Sequence, residues 1–152
     1  MADHERYMCI ALEEAERGAA EGNVAVGSIL VSAEKVVARG RNLVTSTSDP
    51  TAHAETVALR NAGEQLGHTD FSKLTLYTTF EPCPMCCGAI LASGVHTLVM
   101  GARHNLTQSN WGAYTVETLL ELTNKENQLT VITGILTREC ADVRNLEAEW
   151  LR

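Results

Sequence analysis

The sequence predicts an α/β sandwich on a mixed sheet, and three features carry that expectation. An amphipathic stretch opens the chain, two β-rich runs joined by a short link follow it, and strands then alternate with helices. In the opening stretch, Asp3 to Glu21, apolar Tyr7, Met8, Ile10, Ala11, Ala15 and Ala19 recur at three- and four-residue steps, and Gly22-Asn23 ends the helix. Val24 to Val31 and Lys35 to Arg41 read as a hairpin linked by Ser32-Ala33-Glu34. Asn42 to Asp49 is rich in Ser and Thr and reads as a loop. Asp49-Pro50-Thr51 opens a second long helix that runs to Gly67. Leu74 to Thr79 is a strand broken by Glu81-Pro82. Cys83 to Ala92 is a helix with Pro84 in its first turn, where a missing N–H costs nothing. Thr97 to Met100 is a strand stopped at Gly101, and residues 102 to 113 read as a long loop. Tyr114 to Leu122 is helical, Leu129 to Thr133 is a strand, and Arg138 to Arg152 is a terminal helix. With no repeat, low-complexity tract or linker, a single domain over residues 1–152 is expected.

Composition narrows the function classes. Apolar residues make up 45% and charged residues 20%, the balance of an ordinary soluble globular protein. No apolar run approaches the roughly 20 residues a bilayer span needs. The charged start, Met1-Ala2-Asp3-His4-Glu5-Arg6, lacks the basic-then-apolar order of a signal peptide, so a cytoplasmic protein without a membrane partner is expected. The formal net charge of −7 argues against a long nucleic-acid partner, because phosphate neutralisation supplies most such affinity. Five cysteines (Cys9, Cys83, Cys86, Cys87, Cys140) are an odd number, and three crowd into five positions. Metal or catalytic use fits that cluster better than a disulfide framework.

Cys83 and Cys86 are three apart at a helix start, so both sulfurs share one face and can grip one ion. Helix N-termini also favour thiolates. His53, near the start of the other long helix, can supply a third ligand and leave a fourth tetrahedral position open for water, as a catalytic zinc site requires. Glu55, two residues on, suits a carboxylate that takes the water's proton and passes protons onward. His-x-Glu followed by Pro-Cys-x-x-Cys is a known zinc-deaminase signature. Either half alone is commonplace: Cys-x-x-Cys serves redox pairs and structural zinc, and His-x-Glu is usually a surface turn. Cys87 faces about a quarter turn away from Cys86 and belongs in the core.

Asn42, Asp49-Pro50-Thr51-Ala52-His53-Ala54-Glu55 and Leu76 to Ile90 resemble the cytidine deaminase superfamily, in its cytosine, guanine and tRNA-adenosine deaminase branch. The resemblance implies a three-layer α/β/α sandwich with a central mixed five-stranded sheet. It implies one zinc per subunit on His53, Cys83 and Cys86, Glu55 as proton shuttle, and a homodimer. It also implies substrate contacts from the Asn42 side chain, the Ala54 N–H and the Glu81 carbonyl. Without it, Asn42 reads as a strand-ending turn residue and the Glu81 side chain as a solvated loop carboxylate.

Substrate choice is where the motif stops. In tRNA adenosine deaminases a Lys-Thr-Gly-Ala-type stretch follows Gly-Ala-Arg; here Gly101-Ala102-Arg103 matches but Asn105 to Ala113 does not. Guanine deaminases place an aromatic pair where this chain has Leu91-Ala92, and fungal-type cytosine deaminases carry a C-terminal aromatic near carboxylates, as Trp150 lies near Glu147 and Glu149. The expectation is a free guanine- or cytosine-type nucleobase or nucleoside, hence a place in purine or pyrimidine salvage. A tRNA anticodon-loop adenosine is the alternative, and an inactive partner subunit a lesser one. Trp111 and Trp150 are candidate stacking walls and His104 a candidate donor to a carbonyl; helix packing and a plain surface loop are the bland readings of these positions. His4, His68 and His96 read as structural.

Overall fold

The structure, a computed structural model, describes residues 3–146. Its helices are α1 (His4–Ala20), α2 (Val44–Thr47), α3 (Ala54–Leu66), α4 (Pro84–Ser93), α5 (Val116–Leu122) and α6 (Thr137–Val143). The strands are β1 (Gly27–Ser32), β2 (Lys35–Arg41), β3 (Thr75–Phe80), β4 (Thr97–Ala102) and β5 (Thr130–Ile132), in sheet order β2-β1-β3-β4-β5. β1 pairs antiparallel with both β2 and β3, while β3, β4 and β5 run parallel. The sheet is therefore mixed and five-stranded, as expected. The β1–β2 turn consists of Ala33 and Glu34, both at positive φ (47° and 65°), the mirror-image turn whose twist suits a hairpin.

Strand alternation makes the three layers. Leu30, Leu76, Leu98 and Met100 meet Ala58 and Ala62 of α3, Ile90 of α4 and Leu120 of α5 on one face. Ile29, Val31, Tyr77 and Val99 meet Tyr7, Met8 and Ala11 of α1 and Cys140 and Ala141 of α6 on the other. Gly40 lets α3 lie directly on β2: a Cβ there would collide with the Ala54 carbonyl and the Ala58 nitrogen. None of the described helices is long and apolar enough to cross a membrane.

Several boundaries differ from the sequence reading, β1 starting at Gly27 rather than Val24 among them, and three have a clear local cause. The helix expected from Asp49-Pro50-Thr51 starts at Ala54, because Asp49 Oδ1 accepts from Thr51 N–H (2.8 Å) and spends that segment on a tight turn. A short helix, α2, occupies the expected 42–49 loop; Asn23 Oδ1 accepts from the N–H groups of Thr45 and Ser46, both at 3.0 Å, capping it from a distant segment. The terminal helix α6 ends at Val143, where Asn145 adopts a left-handed φ of 55°, and residues 147–152 of the expected helix lie outside the described residues.

Candidate active site

Two helix starts converge beside the carboxyl ends of the parallel strands, the usual place for a site in an open α/β sheet. His53 is the N-cap of α3 and Cys83 the N-cap of α4; neither side chain caps its own helix, so both are spare for other work. Pro84 at the first helical position and the Cys87 N–H to Cys83 carbonyl bond (2.8 Å) fix the turn that presents Cys83 and Cys86 together. Cys87 is buried in the core, as expected.

The His53 Nδ1 lies 3.6 Å from Cys83 Sγ and 3.5 Å from Cys86 Sγ. Zinc bonds of about 2.1 Å to nitrogen and about 2.3 Å to sulfur at a tetrahedral angle require a separation of about 3.6 Å. The donor set fits zinc, and these three residues form the metal-competent group among the described residues. The Cys86 thiol's hydrogen bond holds Cys83 well below the usual thiol range, and the same contact pushes Cys86 up. Cys83 is thus poised as a thiolate.

Glu55, in the first turn of α3, is buried, and desolvation pushes its carboxyl up. Thr78 Oγ donates to Glu55 Oε1 at 2.9 Å, and Ser28 Oγ donates to Thr78 Oγ at 2.9 Å. This chain of hydroxyls, from β1 through β3, fixes the carboxylate's direction.

The Glu81 side chain is not a solvated loop carboxylate. It is 1% exposed and accepts from Arg103 Nη2 and Val116 N–H (both 2.9 Å) and from His104 N–H (3.0 Å). Burial alone would raise its carboxyl, but the Arg103 bond and the two N–H groups outweigh it and hold it low. Glu81 therefore ties the ends of β3 and β4 to the start of α5. Tyr114 Oη donates to the Pro82 carbonyl at 2.6 Å and steadies the same turn.

A cavity of about 240 Å³ opens over this centre. Asn42, His53, Ala54, Glu55, Glu81, Cys83, His104 and Trp111 all line it, so the structure brings together these candidates from the sequence. Asn42 Oδ1 accepts from Val44 N–H at 3.0 Å, so the turn-residue reading also holds. His104 is buried edge-on to Phe80 (4.9 Å) and Tyr114 (5.7 Å) rather than lying in a surface loop, and burial holds its imidazole toward the neutral form. Trp150, with Glu147 and Glu149, lies outside the described residues. Sequence reasoning missed Phe80, Gln108, Ser109, Asn110 and Arg144 in the wall and Thr78 behind it. Thr78 had a legible sign, a polar residue alternating inward in an apolar strand; Arg144 had none.

The model of the cytidine and deoxycytidylate deaminase zinc-binding region matches residues 1–102, and the chain belongs to that family. It is a zinc-dependent hydrolytic deaminase. Among relatives, the tRNA-specific adenosine deaminase of Buchnera aphidicola (subsp. Schizaphis graminum) is 39% identical over 137 residues, 90% of this chain and 88% of that one. The Bacillus subtilis tRNA-specific adenosine deaminase is 35% identical over 92% of this chain and 85% of its own. A solved structure from work on A-to-I editing by tRNA:A34 deaminases superposes with TM-score 0.79 at 32% identity, covering 91% and 98% of the two chains. The guanine deaminase of Nitrosomonas europaea superposes with TM-score 0.79 at 28% identity, covering 95% and 85%.

These likenesses correct the expectation of a free nucleobase or nucleoside, and with it the place in salvage. Relatives 33–47% identical to this chain are named for tRNA. Two signals misled. Net charge sums over the whole surface, whereas Glu13, Glu14 and Glu21 pair with Arg17, Arg39 and Arg41 on α1 and β2. The carboxylates lining the cavity, Glu55 and Glu81, are both buried, so the rim itself carries no acid among the described residues. The loop after Gly101-Ala102-Arg103 supplies no metal ligand, so its residues can vary while the centre stays intact.

Proposed function

We propose that this chain hydrolyses the amino group of an adenosine in a tRNA anticodon loop, giving inosine and ammonia. Similarity over about nine-tenths of the chain to relatives named tRNA-specific adenosine deaminases carries the reading. The complete His53, Cys83, Cys86 and Glu55 centre supports it. Zinc on His53, Cys83 and Cys86 would supply the Lewis acidity that makes a water nucleophilic near neutral pH. Glu55 takes a proton from the attacking water and delivers it to the purine ring nitrogen, then takes the second proton from the hydroxyl added to the carbon and hands it to the departing amine. Its burial suits that work, because a carboxyl raised toward neutrality holds and releases a proton with little penalty.

The remaining residues present the base. Asn42 has its oxygen committed to Val44 N–H, which leaves its NH₂ as the donor to substrate. Ala54 is the first residue of α3, so its N–H has no partner within the helix and serves the base edge, opposite the Glu81 carbonyl. Trp111, 47% exposed at the cavity mouth, offers a face on which a base of the loop stacks. His104, being neutral, serves as a donor or a wall without adding charge.

The test is product analysis with purified zinc-loaded protein on a tRNA anticodon stem-loop, free adenosine, guanine and cytosine. Inosine in the stem-loop alone is expected; turnover of a free base with the stem-loop untouched would sink the reading. Glu55→Gln should keep stoichiometric zinc and lose turnover by at least about a thousandfold, since both proton transfers go with it.

A further inference from the structure

The geometry points to Arg144 as the residue that anchors a phosphate of the bound nucleotide chain beside the reacting base. This assignment rests on the RNA reading above and names a contact of that same cavity. Arg144 follows α6 directly, and its side chain turns into the cavity wall, with Cζ 4.2 Å from the centre of the Phe80 ring. Arg6, Arg17, Arg39, Arg41 and Arg103 each reach a carboxylate. Arg60 and Arg138 are exposed, where water serves them. Arg144 is partly buried and, among the described residues, has no carboxylate within ion-pair distance.

A guanidinium withdrawn from water on to a ring face keeps five N–H donors to satisfy. The negative end of the α6 dipole accounts for a cation at this position, but not for its turning into the cavity. The cavity's own carboxylates are committed: Glu55 to Thr78 and to proton transfer, Glu81 to Arg103 and two backbone N–H groups. Among the described residues no acidic group completes Arg144, and a ligand entering the cavity can. Adenine offers a guanidinium only single neutral ring-nitrogen acceptors, whereas a nucleotide phosphate offers two oxyanions in the spacing of the guanidinium fork. Stacking on Phe80 holds the fork in place before the ligand arrives, which lowers the ordering cost of binding.

The phosphate can belong to the polynucleotide or to a mononucleotide, and the experiment separates the two. Binding is measured in the Glu55→Gln background, so that nothing turns over, to stem-loop RNAs carrying a single neutral methylphosphonate at each linkage around the target adenosine. One such replacement should weaken the Arg144 protein about tenfold and the Arg144→Met protein no further, with Arg144→Lys in between. The salt slope of log K should also fall by about 0.7 in Arg144→Met, one phosphate on a single strand. If the costs of Arg144→Met and of neutralisation multiply at every linkage, and the slope is unchanged, the assignment is overturned. A protein that fails to deaminate the stem-loop yet binds adenosine 5′-monophosphate over adenosine only while Arg144 is present would sink the tRNA reading and keep the phosphate anchor. Loss of affinity for adenosine and its monophosphate alike would show that Arg144 merely packs against Phe80.

Discussion

Thr78 stands between two polar groups that a buried strand would otherwise leave stranded. Its hydroxyl receives from Ser28 and gives to Glu55, so replacing it with Val removes one charge-assisted bond and orphans two partners. Thr78→Val should cut the deamination rate about tenfold with zinc content unchanged, because Glu55 loses its direction rather than its charge. Metal analysis beside the rate assay checks this, and loss of zinc in step with rate would refute it. Glu81 has the opposite job, in which charge matters more than aim. Its folded-state carboxyl lies below the ordinary value of 4.5, so its stabilisation is present above that pH and disappears as pH falls through the depressed value. Glu81→Gln should cost about 3 kcal/mol at neutral pH, with Glu117 the carboxylate left to Arg103 among the described residues. Thermal melts from pH 7 down to pH 3 should show the variant's stability falling less steeply than that of the parent. A parallel pair of curves would remove Glu81 from the acid response.

Between elements, the placement of the centre depends on how closely α3 can approach β2. Gly40→Ala pushes a methyl group into the α3 backbone at Ala54, the residue between His53 and Glu55, and at Ala58 one turn on. About 2–3 kcal/mol of destabilisation is expected, together with weakened zinc binding. Denaturant titration and metal affinity measure the two, and an unchanged zinc affinity would mean the α3 start does not depend on this contact. Periodicity revealed α1 and α3 because each has one face in the core, and apolar runs revealed the strands, of which β1, β3 and β4 are buried on both faces. It could not reveal α2, whose N-terminal N–H groups are satisfied by Asn23, 22 and 23 positions earlier in the chain. The late start of α3 was hidden differently: Asp49 reads as a helix cap and caps a turn instead. Arg144 was invisible because its stacking partner, Phe80, lies on a strand 64 positions earlier.

For the molecule as a whole, the metal joins two helices that the core already holds side by side. Chelation should lower the midpoint of unfolding by roughly 10 °C, the equivalent of about 4 kcal/mol for a site saturated a thousandfold. Scanning calorimetry with and without chelator checks it, and an unmoved midpoint would mean the ion contributes nothing to the fold. The three ligands and Glu55 were legible because the chemistry dictates both residue types and spacing. The substrate was not, since the cavity wall draws on separate segments, including residues 108–111 and Arg144. The two contributions are also largely separate in the chain: the ligands sit at helix starts pinned by the core, and residues 108–111 of the wall on a loop that supplies no ligand. Such an arrangement is a ready chassis for redesign. Grafting another relative's 104–113 loop and C-terminal segment on to residues 1–102 should redirect the enzyme to a new amino-heterocycle without touching the reaction it performs.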